Sequence, residues 1–318
     1  MANFAFSLFN HNETGARSLH DVIGIIGNQL MALGHTVAWD PDRPLTFVKA
    51  ESGINVIVEG FTDDVTRCVA EARDEGCRFV IVATEDPTDR GFNHGESPEM
   101  IMRQRNFPEA AKLADAIFCL VSGEAATRWY SQFAPSAFVE LGYARTLVRA
   151  PDYWEPEYDF GFFGSLTRRR LKILKRLAAS MPGREKAVRI EATMPDQATR
   201  DRVIREAKVV VQIRKDDRMG QVSSSRCNTA LHLGRPIVAE PHELSHPWDQ
   251  VVQFTPQRET EDATMRAFLD ACLMARSSWR SLHARQFDRF RALMTPEWCV
   301  GRALREVGLD LEHRARAA

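Results

Sequence analysis

VVVQIRKDDRMGQVSSSRCNTALHLGRPIVAE, Val209 to Glu240, is the stretch whose reading decides the fold. Val209 to Ile213 is a β-branched run of strand length, and Arg214 to Gly220 is a charged loop. Ser223 to Ser225 offer a helix cap, Arg226 to Leu233 make about two turns, Gly234 ends them, and Pro236 to Ala239 restart a strand. Strand, loop, helix and buried strand in that order are the unit of a parallel α/β sheet. Consecutive serines place backbone N–H groups and hydroxyls at the positive end of a helix dipole, an arrangement that suits a phosphate. The same residues would serve equally as a capped crossover helix without a ligand.

The pattern recurs on both sides. Upstream, Asn3 to Phe9 reads as strand and the helical spacing from Ser18 runs through Leu19, Val22, Ile23, Ile26, Leu30 and Leu33. Gly34 then stops the helix before a strand at Thr36 to Trp39. Strands follow at Ile54 to Val58, Arg78 to Ala83 and Ala116 to Val121, with helices at Asp63 to Glu75 and Asn106 to Leu113. Thr84 to Pro98 is a long polar segment, and Val139 to Leu147 could close the first lobe as strand or helix. Ala150 to Asp159 lacks periodicity and reads as a linker. Beyond it come a strand at Phe160 to Phe163 landing on Gly164-Ser165, a basic helix at Thr167 to Ser180, a strand at Lys186 to Glu191 and a helix at Asp196 to Ala207. A short strand at Val251 to Phe254 precedes a helical tail from Glu261. The expected fold is α/β, two Rossmann-like parallel-sheet lobes with C-terminal helices. Residues 1–150 form the first lobe, 151–260 the second, and 261–318 the helices bracing them.

Composition narrows the classes. The 318 residues carry a net charge of −1, which argues against broad attraction to nucleic acid or a membrane surface. No segment approaches the ~20 apolar residues of a membrane span. The start, MANFAFSLFNHNE, lacks a basic region followed by a long apolar run, and the six cysteines contain no CxxC pair. A cytoplasmic protein with reduced thiols is the expectation.

Two places resemble GT-B glycosyltransferases, and within them the bacterial family related to the spore proteins named CgeB. DFGFFGSLTRRRLKILKRL, Asp159 to Leu177, resembles the opening of the C-terminal lobe. SSSRCNTALHLGRPIVAE, Ser223 to Glu240, resembles the donor-binding block. The resemblance implies a nucleotide-diphosphate sugar on the second lobe, an acceptor on the first, and chemistry in the interdomain cleft with no metal and no resident cofactor. Gly164 and Ser165 would then lie against the diphosphate, Arg168 or Arg214 with Lys215 would neutralise the leaving phosphates, and Ser224, Ser225 and Arg226 would cap phosphate or ribose. Where many members carry a ribose-binding Glu, the register puts Thr229, beside Asn228, and either of these could still hydrogen-bond a ribose of the donor, more weakly and without charge. That departure favours a rival reading as a non-catalytic nucleotide- or glycan-binding protein, and 2-epimerases of nucleotide sugars share the fold and a similar block.

Sugar transfer needs a base for the acceptor hydroxyl or stabilisation of the departing phosphate. Glu85 and Asp86 past the strand ending at Ala83, with His94 nearby, and His11 and Glu13 past the first strand, are the candidates, since carboxyl ends of strands favour function. Two further patterns compete for attention. His242 to His246 satisfies HExxH, a zinc-hydrolase pattern, but Pro241 and Pro247 leave about one helical turn for it. Trp129, Tyr130, Tyr153 and Trp154 could stack on a sugar or simply pack in the core.

Overall fold

The computed structural model describes residues 1–8, 13–39, 47–58, 62–95, 97–148, 155–181, 186–192, 196–215, 220–243 and 247–309, the side chains of 13–18 excepted. The chain forms two compact units, Met1–Leu141 together with Pro296 onward, and Gly142–Thr295.

The first unit runs β1 (Asn3–Leu8), α1 (Glu13–Ala32), β2 (Thr36–Trp39), β3 (Ile54–Val58), α2 (Asp63–Asp74), β4 (Phe79–Ala83), a 3-10 turn at Phe92–Gly95, α3 (Pro98–Ala111), β5 (Ala116–Cys119), α4 (Glu124–Tyr130) and β6 (Ser136–Phe138). All pairings are parallel, in the order β2-β1-β3-β4-β5-β6. β3 and β4 are buried along their whole length, as Ile/Val/Phe-rich runs (interrupted in β3 by the buried Asn55) demand of a sheet covered on both faces. One face packs Phe79, Ile81 and Ile117 against Phe107 and Tyr130.

The second unit contains β7 (Tyr158–Phe163), α5 (Arg168–Ala179), β8 (Val188–Glu191), α6 (Gln197–Glu206), β9 (Ala207–Gln212), α7 (Ser224–His232), β10 (Ile237–Ala239), α8 (Trp248–Val251), β11 (Gln253–Phe254), α9 (Glu261–Ser277) and α10 (Trp279–Leu293). Its parallel sheet has the order β11-β10-β9-β7-β8. Phe160, Phe162, Val209 and Val211 meet Leu174 of α5 and Phe268 of α9 in one core. Gly161 is required here: a Cβ on it would lie 2.8 Å from that of Ala207, where β7 and β9 run side by side. A π turn at Glu297–Gly301 and α11 (Arg302–Glu306) return to the first unit, where Arg302 donates to the Phe138 carbonyl at the end of β6 (3.3 Å).

Three elements differ from the sequence expectation. α3 starts at Pro98, eight residues before the expected Asn106, because Ser97 caps Met100 N–H (3.3 Å) and proline fits a first helical turn. The last strand of the first sheet is β6 rather than anything in Val139 to Leu147, which contributes only a 3-10 turn at Arg145–Leu147. The expected strand at Val251 to Phe254 is present but shortened to β11 at Gln253–Phe254, since Trp248 is buried and the turn of α8 it draws onto the core takes in Val251.

Candidate functional site

In the second sheet, the connection from β7 leads outward to β8, and the chain then recrosses to β9 on the other side of β7. The carboxyl ends of β7 and β9 therefore lie side by side at the topological switch point, the crevice at which open α/β sheets take ligands. β7 ends in Phe163, and Gly164 turns the chain at φ +117°, a conformation L side chains rarely adopt. A Cβ on Gly164 would lie 2.9 Å from Arg226 Nη2. The Gly164 turn and α7 are thus brought together by the Arg226 side chain. Its Nη2 donates to the Phe163 carbonyl (2.9 Å), its Nη1 donates to Gln212 Oε1, and its guanidinium lies over the rings of Phe162 and Phe163. These partners are neutral. Burial, and then the charge of Arg170, push the Arg226 pKa down to about 9. Arg170 ties the crevice from the α5 side, donating to the carbonyls of Ile213 (3.0 Å) and Ser165 (2.8 Å) and to Ser165 Oγ (3.1 Å).

Beside this lies an ion-pair node that the sequence reading missed. Glu240, fully buried at the end of β10, accepts both Nη atoms of Arg169 (2.8 and 2.7 Å) and the Arg214 N–H (2.8 Å). Glu261, the first residue of α9, meets Arg169 (2.6 Å) and Arg214 (3.4 Å). Burial pulls the Arg169 pKa down, but hydrogen bonds and charge from Glu240 and Glu261 more than reverse it and leave it raised. His242 shares this node through its Nδ1, 2.7 Å from the Glu240 carbonyl, and its Nε2, 3.4 Å from Gln212 Nε2. Burial holds its pKa down at about 4, with the charges of Arg214, Arg226 and Arg169 adding to the effect. A neutral ring donates from Nδ1 to the carbonyl and accepts at Nε2 from Gln212, which leaves the Gln212 oxygen for Arg226. His242 and Glu243 are non-helical, Leu244 to His246 lie outside the described residues, and among the described residues no group of three His, Cys, Asp or Glu could hold a metal ion. The first half of HExxH is a loop built into the arginine network.

The remaining second-unit candidates divide by what they touch. Ser165 and Lys215 are exposed on the loops flanking the crevice and Arg168 is exposed at the first position of α5, with Thr167 Oγ1 donating to the Lys215 carbonyl (2.8 Å). Ser223 begins α7 without a side-chain cap. Ser224 Oγ accepts from Trp248 Nε1 (3.0 Å), and Ser225 is partly buried. Asn228 is buried and donates to the Gly142 carbonyl (2.7 Å), while Thr229 Oγ1 donates to the Ser225 carbonyl one turn back (2.9 Å).

In the first unit, the chain past β4 carries Glu85 and Asp86 into the Phe92–Gly95 turn. Glu85 Oε1 accepts from Arg103 of α3 (2.9 Å), Glu85 Oε2 accepts from Asn93 Nδ2, and the Glu85 carbonyl accepts from Tyr130 O–H (2.7 Å). Asp86 is partly buried, and burial raises its pKa against the opposing charge of His94. Trp129 and Tyr130 pack with Phe92, Phe107 and Phe133 beneath this loop, which is the core role for both. His11, Tyr153 and Trp154 lie outside the described residues, as does the Glu13 side chain at the start of α1.

No family model matches the sequence, and no curated protein does. Solved structures do. An alpha-glucosyltransferase in complex with UDP and a mismatched 13-mer DNA is similar over 97% of this chain and 100% of its own, with TM-score 0.60 at 9% identity. The fold is GT-B. Anabaena HepE in complex with UDP covers 97% and 100% of the two chains with TM-score 0.53 at 10% identity. A putative UDP-N-acetylglucosamine 2-epimerase from Listeria monocytogenes covers 98% and 97%, with TM-score 0.52 at 11% identity. At such identities the GT-B likeness is one of backbone alone, so what this chain does has to be argued from its own side chains.

Proposed function

We propose that this chain is a cytoplasmic glycosyltransferase that moves a sugar from a nucleotide-diphosphate donor to an acceptor hydroxyl. The observation that carries the reading is Arg226, a buried cation with neutral partners at the switch point of the second sheet, under a glycine turn and beside an uncapped helix start. A desolvated charge of this kind is costly until an anion approaches, and a diphosphate brings charge and acceptor oxygens together. Gly164 and Ser165 admit the phosphates closely, the α7 amides with Ser224 and Ser225 face them, and Arg168, Arg214 and Lys215 supply charge to the leaving group without a metal ion. Asn228 and Thr229 take part by holding α7 in place. Asp86, Glu85, His11 and Glu13 belong to the acceptor side, with Asp86 the preferred base. The Gly164-Ser165 turn and the Ser223–Glu240 block support placing the chain near the CgeB-related enzymes.

Two relatives of this reading use the same donor site. The epimerase reading is favoured by the Listeria neighbour, and a binding protein without turnover by Thr229. One assay separates all three: purified protein with UDP-glucose or UDP-N-acetylglucosamine, with and without EDTA, followed for UDP release and for the recovered sugar. Transfer predicts UDP release that an acceptor accelerates and EDTA leaves unchanged. An epimerised nucleotide sugar without net UDP release would replace transferase with epimerase, and binding with neither product would leave a binding module.

A further inference from the structure

The Phe92–Gly95 turn contains two successive non-glycine residues in the left-handed region, Asn93 (φ 51°, ψ 41°) and His94 (φ 65°, ψ 22°), the only such residues among those described. Asn and His enter that region more readily than other L residues, but even for them it is the less favourable backbone, and two such residues in succession persist only where the surroundings enforce them. The enforcement is visible. Phe92 is anchored against Phe107 and Trp129, Gly91 and Gly95 take positive φ on either side, Thr88 Oγ1 donates to the Gly91 carbonyl (2.7 Å) and Gln104 donates to the Thr88 carbonyl (2.7 Å).

What the strain secures is the arrangement of the two acids past β4. Asn93 N–H donates to the Asp86 carbonyl (2.7 Å), Asn93 Oδ1 accepts from the Asp86 N–H (3.0 Å), and Asn93 Nδ2 donates to the Glu85 carboxylate. Arg103 takes the other Glu85 oxygen. Glu85 is therefore engaged on both oxygens. Asp86 has its main chain fixed at both ends, and among the described residues no hydrogen bond to its carboxylate is seen. Among the described residues, the charge that acts on it is that of exposed His94 on the turn, while neighbouring Glu85 is paired to Arg103 of α3.

We propose that Asn93 is a positioning residue that locks Asp86 as the proton acceptor and withdraws Glu85 from that role. The inference rests on the glycosyltransferase reading. In the step it serves, the acceptor hydroxyl loses its proton to the Asp86 carboxylate and its oxygen bonds to the anomeric carbon. The bond from that carbon to the diphosphate oxygen breaks with its electron pair on the phosphate, leaving a protonated Asp86 and a nucleoside diphosphate. An amide is needed at position 93 because it must accept from one acid's main chain while donating to the other's carboxylate.

Asn93→Gly tests this cleanly, since glycine accepts the left-handed backbone and removes only the amide. The full-length protein and the variant are compared by thermal unfolding, by carbon-13 NMR titration of the Asp86 carboxyl (assigned with Asp86→Asn), and by UDP-glucose turnover. The expected result is a variant at least as stable as the parent, with the Asp86 midpoint lowered by about half a unit or more and kcat down about tenfold or more at little-changed KM. An Asp86 midpoint that does not move, or a less stable variant with unchanged turnover, overturns the proposal and leaves Asn93 a turn residue. If the parent neither binds UDP nor turns over UDP-glucose, the glycosyltransferase reading fails separately, and the ligand-free titration still decides whether Asn93 holds Asp86.

Discussion

Gly164, Arg226 and Arg169 show how differently neighbouring residues bear on stability and on the site. Gly164→Ala would force a Cβ to within 2.9 Å of the Arg226 guanidinium at a φ of +117°. We expect a loss of about 1–2 kcal/mol in urea unfolding, because the left-handed backbone and the contact both oppose it. Arg169 and Arg226 are both arginines at the same sheet edge, yet their removal should differ. Arg169→Met strands the fully buried Glu240 carboxylate and should cost about 3–5 kcal/mol. Arg226→Met removes a desolvated charge but leaves the Gln212 and Phe163 oxygens unpaired, and should stay within about 2 kcal/mol of the parent. Equal losses for the two would contradict the distinction between a paired and a carboxylate-free buried arginine.

At the scale of elements, the Val209–Glu240 stretch was legible because a β-branched run and Gly-x-Pro each have a local cause, and β9, α7 and β10 sit where those causes put them, although Ser223 at the start of α7 makes no side-chain cap. Gly164-Ser165 was legible for the same reason. Glu240 was not: a glutamate after a strand looks like any solvated acid until tertiary structure brings Arg169 and Arg214 to it. Asn93 and His94 were only half legible. The spacing Gly91-x-Asn93-His94-Gly95 signals left-handed backbone, but the hydrogen bonds to Glu85 and Asp86 depend on how the loop closes. The start of α3 was legible in Ser97-Pro98 and overlooked. Ser97→Ala should cost about 1 kcal/mol of stability, read by denaturant unfolding, because it removes the cap of the helix that carries Arg103 to Glu85.

For the molecule as a whole, buried histidines set the acid side of stability. Burial lowers the pKa of both His232 and His242 from 6.5 to about 4. Their neutral rings are stabilising in full above the unfolded value, and that contribution is lost as pH falls from about 6.5 toward 4. Urea unfolding at pH 7.5 and pH 5 should differ by a few kcal/mol, with the pH 5 protein weaker. No described helix is long and apolar enough to cross a membrane. Each unit has its own apolar core, and the second carries the buried arginine network as well. That network is also where the central claim is decided. Calorimetric titration of UDP into the parent protein and into Arg226→Met, in EDTA, tests it most directly. The account predicts saturable binding to the parent and affinity lower by about tenfold or more in a variant that is still folded. UDP that fails to bind the parent, or binds both proteins equally well, would contradict it.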